Sequence, residues 1–179
     1  TLRPETLYGQ TNMWVRPDID YVKAEVDGEK WIVSKECAKA LEEQGKDVEL
    51  LEKVPGSSLI GKHCHAPGID KDIIILPSSF PDPKIGTGLV TSVPSDAPYD
   101  YIALRDLWQD PKECKKYGLD PEEIKNIKII PIIKSRGYGE IPAKEIVEKM
   151  GIENQEELEK LEEATEEIYK VGFHTGVMR

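Results

Sequence analysis

Tyr21-Val22-Lys23-Ala24-Glu25-Val26-Asp27-Gly28-Glu29-Lys30-Trp31-Ile32-Val33-Ser34 reads as a β-hairpin running straight into a helix. Two runs of β-formers flank Asp27-Gly28, a dipeptide suited to the positive backbone angles of a tight hairpin turn. Ser34 follows as a helix N-cap, without the Glu at the third following place that would complete a capping box. Apolar residues continue to Leu41, and Gly45 marks the stop. A hairpin and a helix within 25 residues predict a mixed α+β fold, with strands and helices interleaved along the chain.

The same reading extends in both directions. Upstream, residues 1–20 read as strand and turn, with Met13-Trp14-Val15 as a strand. Downstream, Val48 to Val54 and Leu59 to Ala66 read as strands separated by Pro55-Gly56. Asp72-Ile73-Ile74-Ile75-Leu76-Pro77 is a short apolar run typical of a buried strand. Tyr99 to Trp108 reads as a helix, and Asp120-Pro121 opens another, with Asp as cap and Pro at the first helical place. Ile127 to Ile133 reads as a strand, and Pro142 to Met150 as a helix stopped by Gly151. In the last helix Leu158, Leu161, Thr165 and Ile168 recur at helical spacing, and Glu fills the other side. No internal repeat or linker divides the sequence, so residues 1–179 are expected to form a single domain, one cut from a longer chain.

Composition excludes several classes. The 179 residues carry a formal charge of −10. From Glu153 to Lys170 there are eight Glu and two Lys, a net of −6, which leaves −4 for everything else. The acidity is concentrated on one helix. It disfavours broad contact with a nucleic-acid duplex, where Lys and Arg are needed, but leaves room for contact with a single nucleotide. No apolar run reaches the roughly 20 residues of a membrane span, and the first residues lack the pattern of a signal peptide. Cys37, Cys64 and Cys114 are odd in number and far apart, which argues against a disulfide framework. His63-Cys64-His65 suggests metal, but alternate strand residues face opposite ways, so only the two His converge and no metal site is expected.

No GxSxG elbow, phosphate loop, HExxH or GxGxxG is present, and no Ser-His pairing is evident. Chemistry here is therefore expected to rest on positioning and charge. Two segments combine polar groups with constrained backbone. Thr1-Leu2-Arg3-Pro4-Glu5-Thr6 offers hydroxyls and a guanidinium suited to a hydroxylated or phosphorylated group; a surface strand end is the plain alternative. Gly86-Thr87-Gly88 permits close backbone approach to a ligand or another strand. It leads through Thr91 and Ser92 to Pro94-Ser95-Asp96-Ala97-Pro98 and Asp100. Asp96 and Asp100 stand near a helix start, where one of them is expected to be a cap and either could face a cationic ligand group.

Together these segments carry a resemblance. TLRPET followed by LYGQTNMWVRPD (residues 1–18) resembles the threonine-rich opening of the editing core of leucyl-tRNA synthetases. GTGLVTSVPSDAPYDYIALRDL (residues 86–107) resembles the second core segment of the archaeal and eukaryotic cytosolic branch, and IYKVGFHTGVM (residues 168–178) extends the likeness to the end of the chain. Valyl- and isoleucyl-tRNA synthetases carry related domains; the VTSVPSDAP stretch favours the leucyl branch.

The resemblance implies a β-barrel-like core with surrounding helices. It also implies hydrolysis of the ester that joins a non-cognate amino acid, such as norvaline, isoleucine or methionine, to the 3′ terminal adenosine of tRNA(Leu). By position, Asp100 matches the acidic residue that holds the substrate ammonium, with Asp96 as second choice. Thr6 matches the threonine that blocks leucine, and Thr1 and Arg3 match residues around the ester and terminal nucleotide. Leu2 departs from the double threonine of bacterial relatives. Thr1, Thr87, Thr91, Ser92 or the substrate's vicinal hydroxyl is expected to order the attacking water, with backbone N–H groups steadying the oxyanion. The expected cofactors are none in this domain, ATP and Mg belonging to the synthetic domain of the full-length enzyme. The expected partners are mischarged tRNA(Leu) and the other synthetase domains, in the cytoplasm and away from membranes. A non-catalytic aminoacyl-nucleotide-binding module is the rival reading, and an interaction domain using the acidic helix is a third.

Overall fold

A computed structural model describes residues 4–179. After a 3-10 turn over Pro4–Gly9 come strands β1 (Asn12–Val15), β2 (Asp20–Val26) and β3 (Glu29–Ser34), then helix α1 (Lys35–Glu43) and strand β4 (Val48–Pro55). A second 3-10 turn, Gly56–Ser58, precedes β5 (His63–His65), β6 (Asp72–Pro77) and β7 (Val90–Thr91). Helices α2 (Pro98–Gln109), α3 (Pro111–Lys116) and α4 (Pro121–Lys125) follow. The chain ends with β8 (Ile133–Lys134), α5 (Pro142–Lys149), α6 (Leu158–Thr175) and β9 (Val177–Met178). The strands form three sheets, ordered β5-β6-β1-β7, β3-β2-β4 and β8-β9, so the fold is mixed α+β and, among the described residues, holds no closed barrel.

Two compact units emerge, each drawn from separate stretches of chain: residues 13–62 with 74–90, and residues 1–12 with 63–73 and 91–179. In the first, β2 and β3 pair antiparallel from Tyr21↔Ser34 to Val26↔Glu29. Asp27 (φ 49°) and Gly28 (φ 87°) make the turn, as the dipeptide predicts. Strand β4 pairs on the other side of β2, with a register shift between Lys23 and Ala24. Val22 packs with Val33 and Ala38, the residue by which α1 covers this sheet. Ser34 caps α1 by accepting from Cys37 N–H at 3.0 Å. Its hydroxyl also donates to Pro83 O at 2.6 Å. Trp14 is fully buried and meets Phe80 edge-on at 6.0 Å between ring centroids.

In the second unit α2, α5 and α6 share a core of Tyr101, Ile102, Ala143, Ile146, Val147, Ile152, Leu161, Ala164 and Ile168. Helix α6 buries Leu161, Ala164, Ile168 and Gly172. Leu161 and Ile168 of the expected stripe are therefore inward, whereas Thr165 is half-buried and Leu158 exposed. The glutamates lie outward, where Glu167 pairs with Lys149 at 3.0 Å and Glu157 pairs with Lys160. No helix among the described residues is long and apolar enough to cross a membrane.

Three expected strands come out differently. From Pro4 to Gly9 the opening segment, read as strand and turn, forms a 3-10 turn. Leu59 to Ala66 shrinks to His63–His65, because Leu59 N–H bonds back to Gly56 O and Lys62 N–H to Leu59 O, turns that continue past Gly61 (φ 79°). Ile127 to Ile133 shrinks to its last residue plus Lys134: Ile127 N–H bonds to Ile124 O, and Pro131 has no N–H for a ladder.

One surface of α2 carries a pH-dependent stability term. Burial pushes the Asp106 carboxyl above its usual range, although Oδ2 accepts from Gln155 N–H at 3.0 Å. A carboxyl raised in the folded state contributes stability below its unfolded pKa, and that stability is lost as pH rises through the folded value. Asp106→Asn keeps the acceptor and removes the charge. Its thermal midpoint is expected to exceed the wild type's at pH 7, with the difference closing below pH ~4; thermal scans across pH would show it, and a constant offset would contradict it.

Candidate functional site: the buried loop ahead of helix α2

The loop between β7 and α2 is built almost entirely of buried residues. Ser92 and Ser95 are inaccessible, Asp96 is 3 % exposed and Asp100 4 %. Buried carboxylates are costly unless hydrogen-bonded, so their partners define the site. Pro98 opens α2 behind Ala97, whose side chain supplies no cap. Asp100 sits in the first turn, where the helix dipole favours an anion. It reaches back past the helix end: Val93 N–H donates to Asp100 Oδ2 at 2.7 Å. Val93 O in turn accepts from Asp96 N–H (3.2 Å) and Ala97 N–H (3.1 Å), which closes the loop on itself. Asp96 accepts from the Ser95 hydroxyl, and Ser95 O accepts from Ala143 N–H at 3.0 Å, at the start of α5.

The expectation that one of the two aspartates is a cap of α2 is therefore corrected. The N-cap position falls on Ala97, so Asp96 lies outside the helix, and Asp100 serves Val93 instead.

The other expected site residues separate into groups. Thr6 is 7 % exposed and belongs to the same unit as Asp100. Thr91 is half-buried at the end of β7. Ser92 turns inward, its Oγ 3.5 Å from Thr11 Oγ1. Thr87 is exposed in the other unit, its hydroxyl 3.4 Å from Leu89 O. The glycine beside it serves the fold: a Cβ on Gly88 (φ 77°) would lie 2.8 Å from Ser34 Cβ, so the close approach is to the cap of α1. Thr1 and Arg3 lie outside the described residues.

Sequence reading passed over Gln10, Thr11 and Asn12, all buried polar residues running into β1. Gln10 Nε2 donates to Pro67 O at 2.7 Å, and Thr11 Oγ1 to Asn12 Oδ1 at 2.8 Å. Among the described residues, buried Gln10 Oε1 and Asn12 Nδ2 meet no hydrogen-bond partner. The available signal was alternation, which puts Gln10 and Asn12 on the same side as Trp14. Among the described residues no group of three His, Cys, Asp or Glu is placed to hold a metal ion. His63 and His65 are exposed, and His65 faces Asp72 at 3.3 Å.

No protein-family model matches the chain. It is 48 % identical over 183 residues to the leucine–tRNA ligase of Pyrococcus horikoshii, an alignment that covers all of this chain and 19 % of that protein. A solved structure described as GlLeuRS-CP1 superposes with a TM-score of 0.86 at 34 % identity, over 99 % of this chain and 69 % of that one. The P. falciparum cytosolic leucyl-tRNA synthetase editing domain gives 0.87 at 27 %, over 99 % and 67 %. Fold and sequence thus converge on one part of an aminoacyl-tRNA synthetase, with the buried Asp100 loop inside the matched region. The chain belongs to the CP1 editing-domain family of leucyl-tRNA synthetases. It spans about a fifth of the length of the archaeal relative.

Proposed function

We propose that this chain performs post-transfer editing, hydrolysing the ester between a non-cognate amino acid and the terminal adenosine of tRNA(Leu). The observation that supports this best is the Asp100 carboxylate: 4 % exposed, with Oδ2 fixed by a peptide N–H before any substrate arrives. An anion held in place in low dielectric suits one task in this reaction, that of receiving the substrate's α-ammonium. Thr6 excludes leucine by its bulk. Thr1, Arg3, Thr87 and Thr91 are assigned to the ester, the nucleotide and the attacking water on the family likeness. Ser92 faces inward and serves Asp100 from behind. Asp96, tied to Ser95, shapes the loop.

The reaction needs no cofactor or metal in this domain; ATP and Mg belong to the synthetic part of a full-length enzyme. Its partners are mischarged tRNA(Leu) and the other synthetase domains, and its compartment is the cytoplasm.

The second-sieve role has a direct test. A synthesis pocket gains only about 1–3 kcal/mol from one methylene, so leucine must be spared by a contact such as that of Thr6. Wild type is expected to hydrolyse norvalyl-tRNA(Leu) and spare leucyl-tRNA(Leu). Thr6→Ala is expected to hydrolyse the leucyl ester about 10- to 200-fold faster than wild type does. An active chain in which Thr6→Ala still spares leucyl-tRNA would remove the sieve from Thr6. Wild-type binding of the aminoacyl adenosine without turnover would favour the non-catalytic module.

A further inference from the structure

Asp100 is only as well placed as the peptide that holds it. Val93 follows Ser92, and Ser92 is clamped by backbone on both sides: Thr11 N–H donates to Ser92 O at 3.1 Å, and Ser92 N–H to Asn12 O at 2.9 Å. The side chains of the same three residues form a second, parallel connection. Thr11 Oγ1 donates to Asn12 Oδ1 at 2.8 Å and lies 3.5 Å from Ser92 Oγ. A hydroxyl has one proton, and Thr11 gives it to Asn12, so Ser92 is the donor toward Thr11. Thr11 is 5 % exposed, and Asn12 and Ser92 are inaccessible. Apolar residues would fill this space at lower desolvation cost, so three polar side chains in series are unexplained by packing alone.

We propose that Thr11 is a positioning residue for Asp100. Its hydroxyl holds Ser92 and Asn12 in one arrangement, which fixes the direction of the Val93 N–H and, through it, the orientation of the carboxylate. Thr11 touches no substrate. This inference rests on the reading of Asp100 as the ammonium receptor.

The test compares two non-hydrolysable ligands, a 2′-norvalylamino-adenosine and its counterpart lacking the α-amino group, titrated by calorimetry into the 179-residue chain. The ratio of their affinities measures what the carboxylate gives to the ammonium. Thr11→Val keeps the shape and removes the hydroxyl; Thr11→Ser keeps the hydroxyl. Thr11→Val is expected to shrink the ratio about 2- to 10-fold, the scale of one hydrogen bond, with affinity for the des-amino ligand unchanged. Thr11→Ser is expected to restore it, and the Val93 amide is expected to exchange with solvent faster in Thr11→Val than in Thr11→Ser.

An unchanged ratio in a folded Thr11→Val would overturn the proposal and leave the function intact. Equal weakening of both ligands would overturn it too, as a merely structural effect. A wild type that binds both ligands equally would remove the role of Asp100 itself, and this inference with it.

Discussion

Asp100→Ala is expected to weaken binding of 2′-norvalylamino-adenosine about 10- to 150-fold, the worth of one buried charge-assisted hydrogen bond at about 1.5–3 kcal/mol. The carboxylate is 4 % exposed, so little solvent competes for it. The substitution also frees the Val93 N–H, which now donates at 2.7 Å, and that loss could loosen the loop without any bearing on a ligand. Asp100→Asn separates the two effects, because it retains an oxygen for Val93 and removes the charge. Calorimetric titration of all three chains reads the answer. Weak binding by both variants places the ammonium at Asp100. Wild-type affinity in Asp100→Asn would show that the charge is immaterial and would sink the assignment. No binding by a folded wild-type chain would mean that the pocket is absent.

Trp14→Ala carries the largest expected loss of stability, about 3–5 kcal/mol in unfolding free energy. Trp14 is inaccessible at the heart of its unit, and Phe80 packs edge-on against it at 6.0 Å. Removing the indole deletes apolar burial and leaves a cavity that this ring cannot fill by itself. Urea titration followed by circular dichroism measures it. A loss below about 1 kcal/mol would mean that the surroundings collapse onto the smaller side chain, contrary to close packing.

Much of the fold was legible because local chemistry agreed with the final structure. Asp27-Gly28 took the positive φ values of a hairpin turn, Ser34 and Asp120 capped the helices they precede, and Asp72–Pro77 was a buried strand. The failures share a cause. Over most of Leu59–Ala66 and of Ile127–Ile133 the chain runs in turns and loops, so composition mimicked strand, and only His63–His65 and Ile133 join a ladder. The last helix was placed correctly, but its inner stripe uses Ala164 and Gly172, small residues that a search for bulky apolar side chains overlooks.

The candidate site was picked out by resemblance and only partly by chemistry. Asp100 stood out as an acid at a helix start, a position that usually signals a cap; that it serves Val93 depends on a loop closure no periodicity reveals. Gly88 offered close approach to a ligand or to another strand, and the structure takes the second: its neighbour is Ser34, the last residue of β3, 54 positions earlier. Alternation with Trp14 pointed to Asn12, but Thr11 gave no warning, because a polar residue ahead of a strand ordinarily belongs to the surface.

The way the chain shares itself between its two units bears on how the protein is made. One unit is assembled from residues 13–62 and 74–90, and the other needs residues 1–12, 63–73 and 91–179. Neither can be produced as an uninterrupted fragment. Synthesis proceeds from the N-terminus, so all of the first unit's residues exist once Val90 has been added. Residues 4–12 of the second unit are made before that point, whereas its Asp100 loop and helices α2, α5 and α6 are encoded later. The unit that carries Asp100 is thus the later of the two to have all its residues, and it closes over the longer separations in sequence.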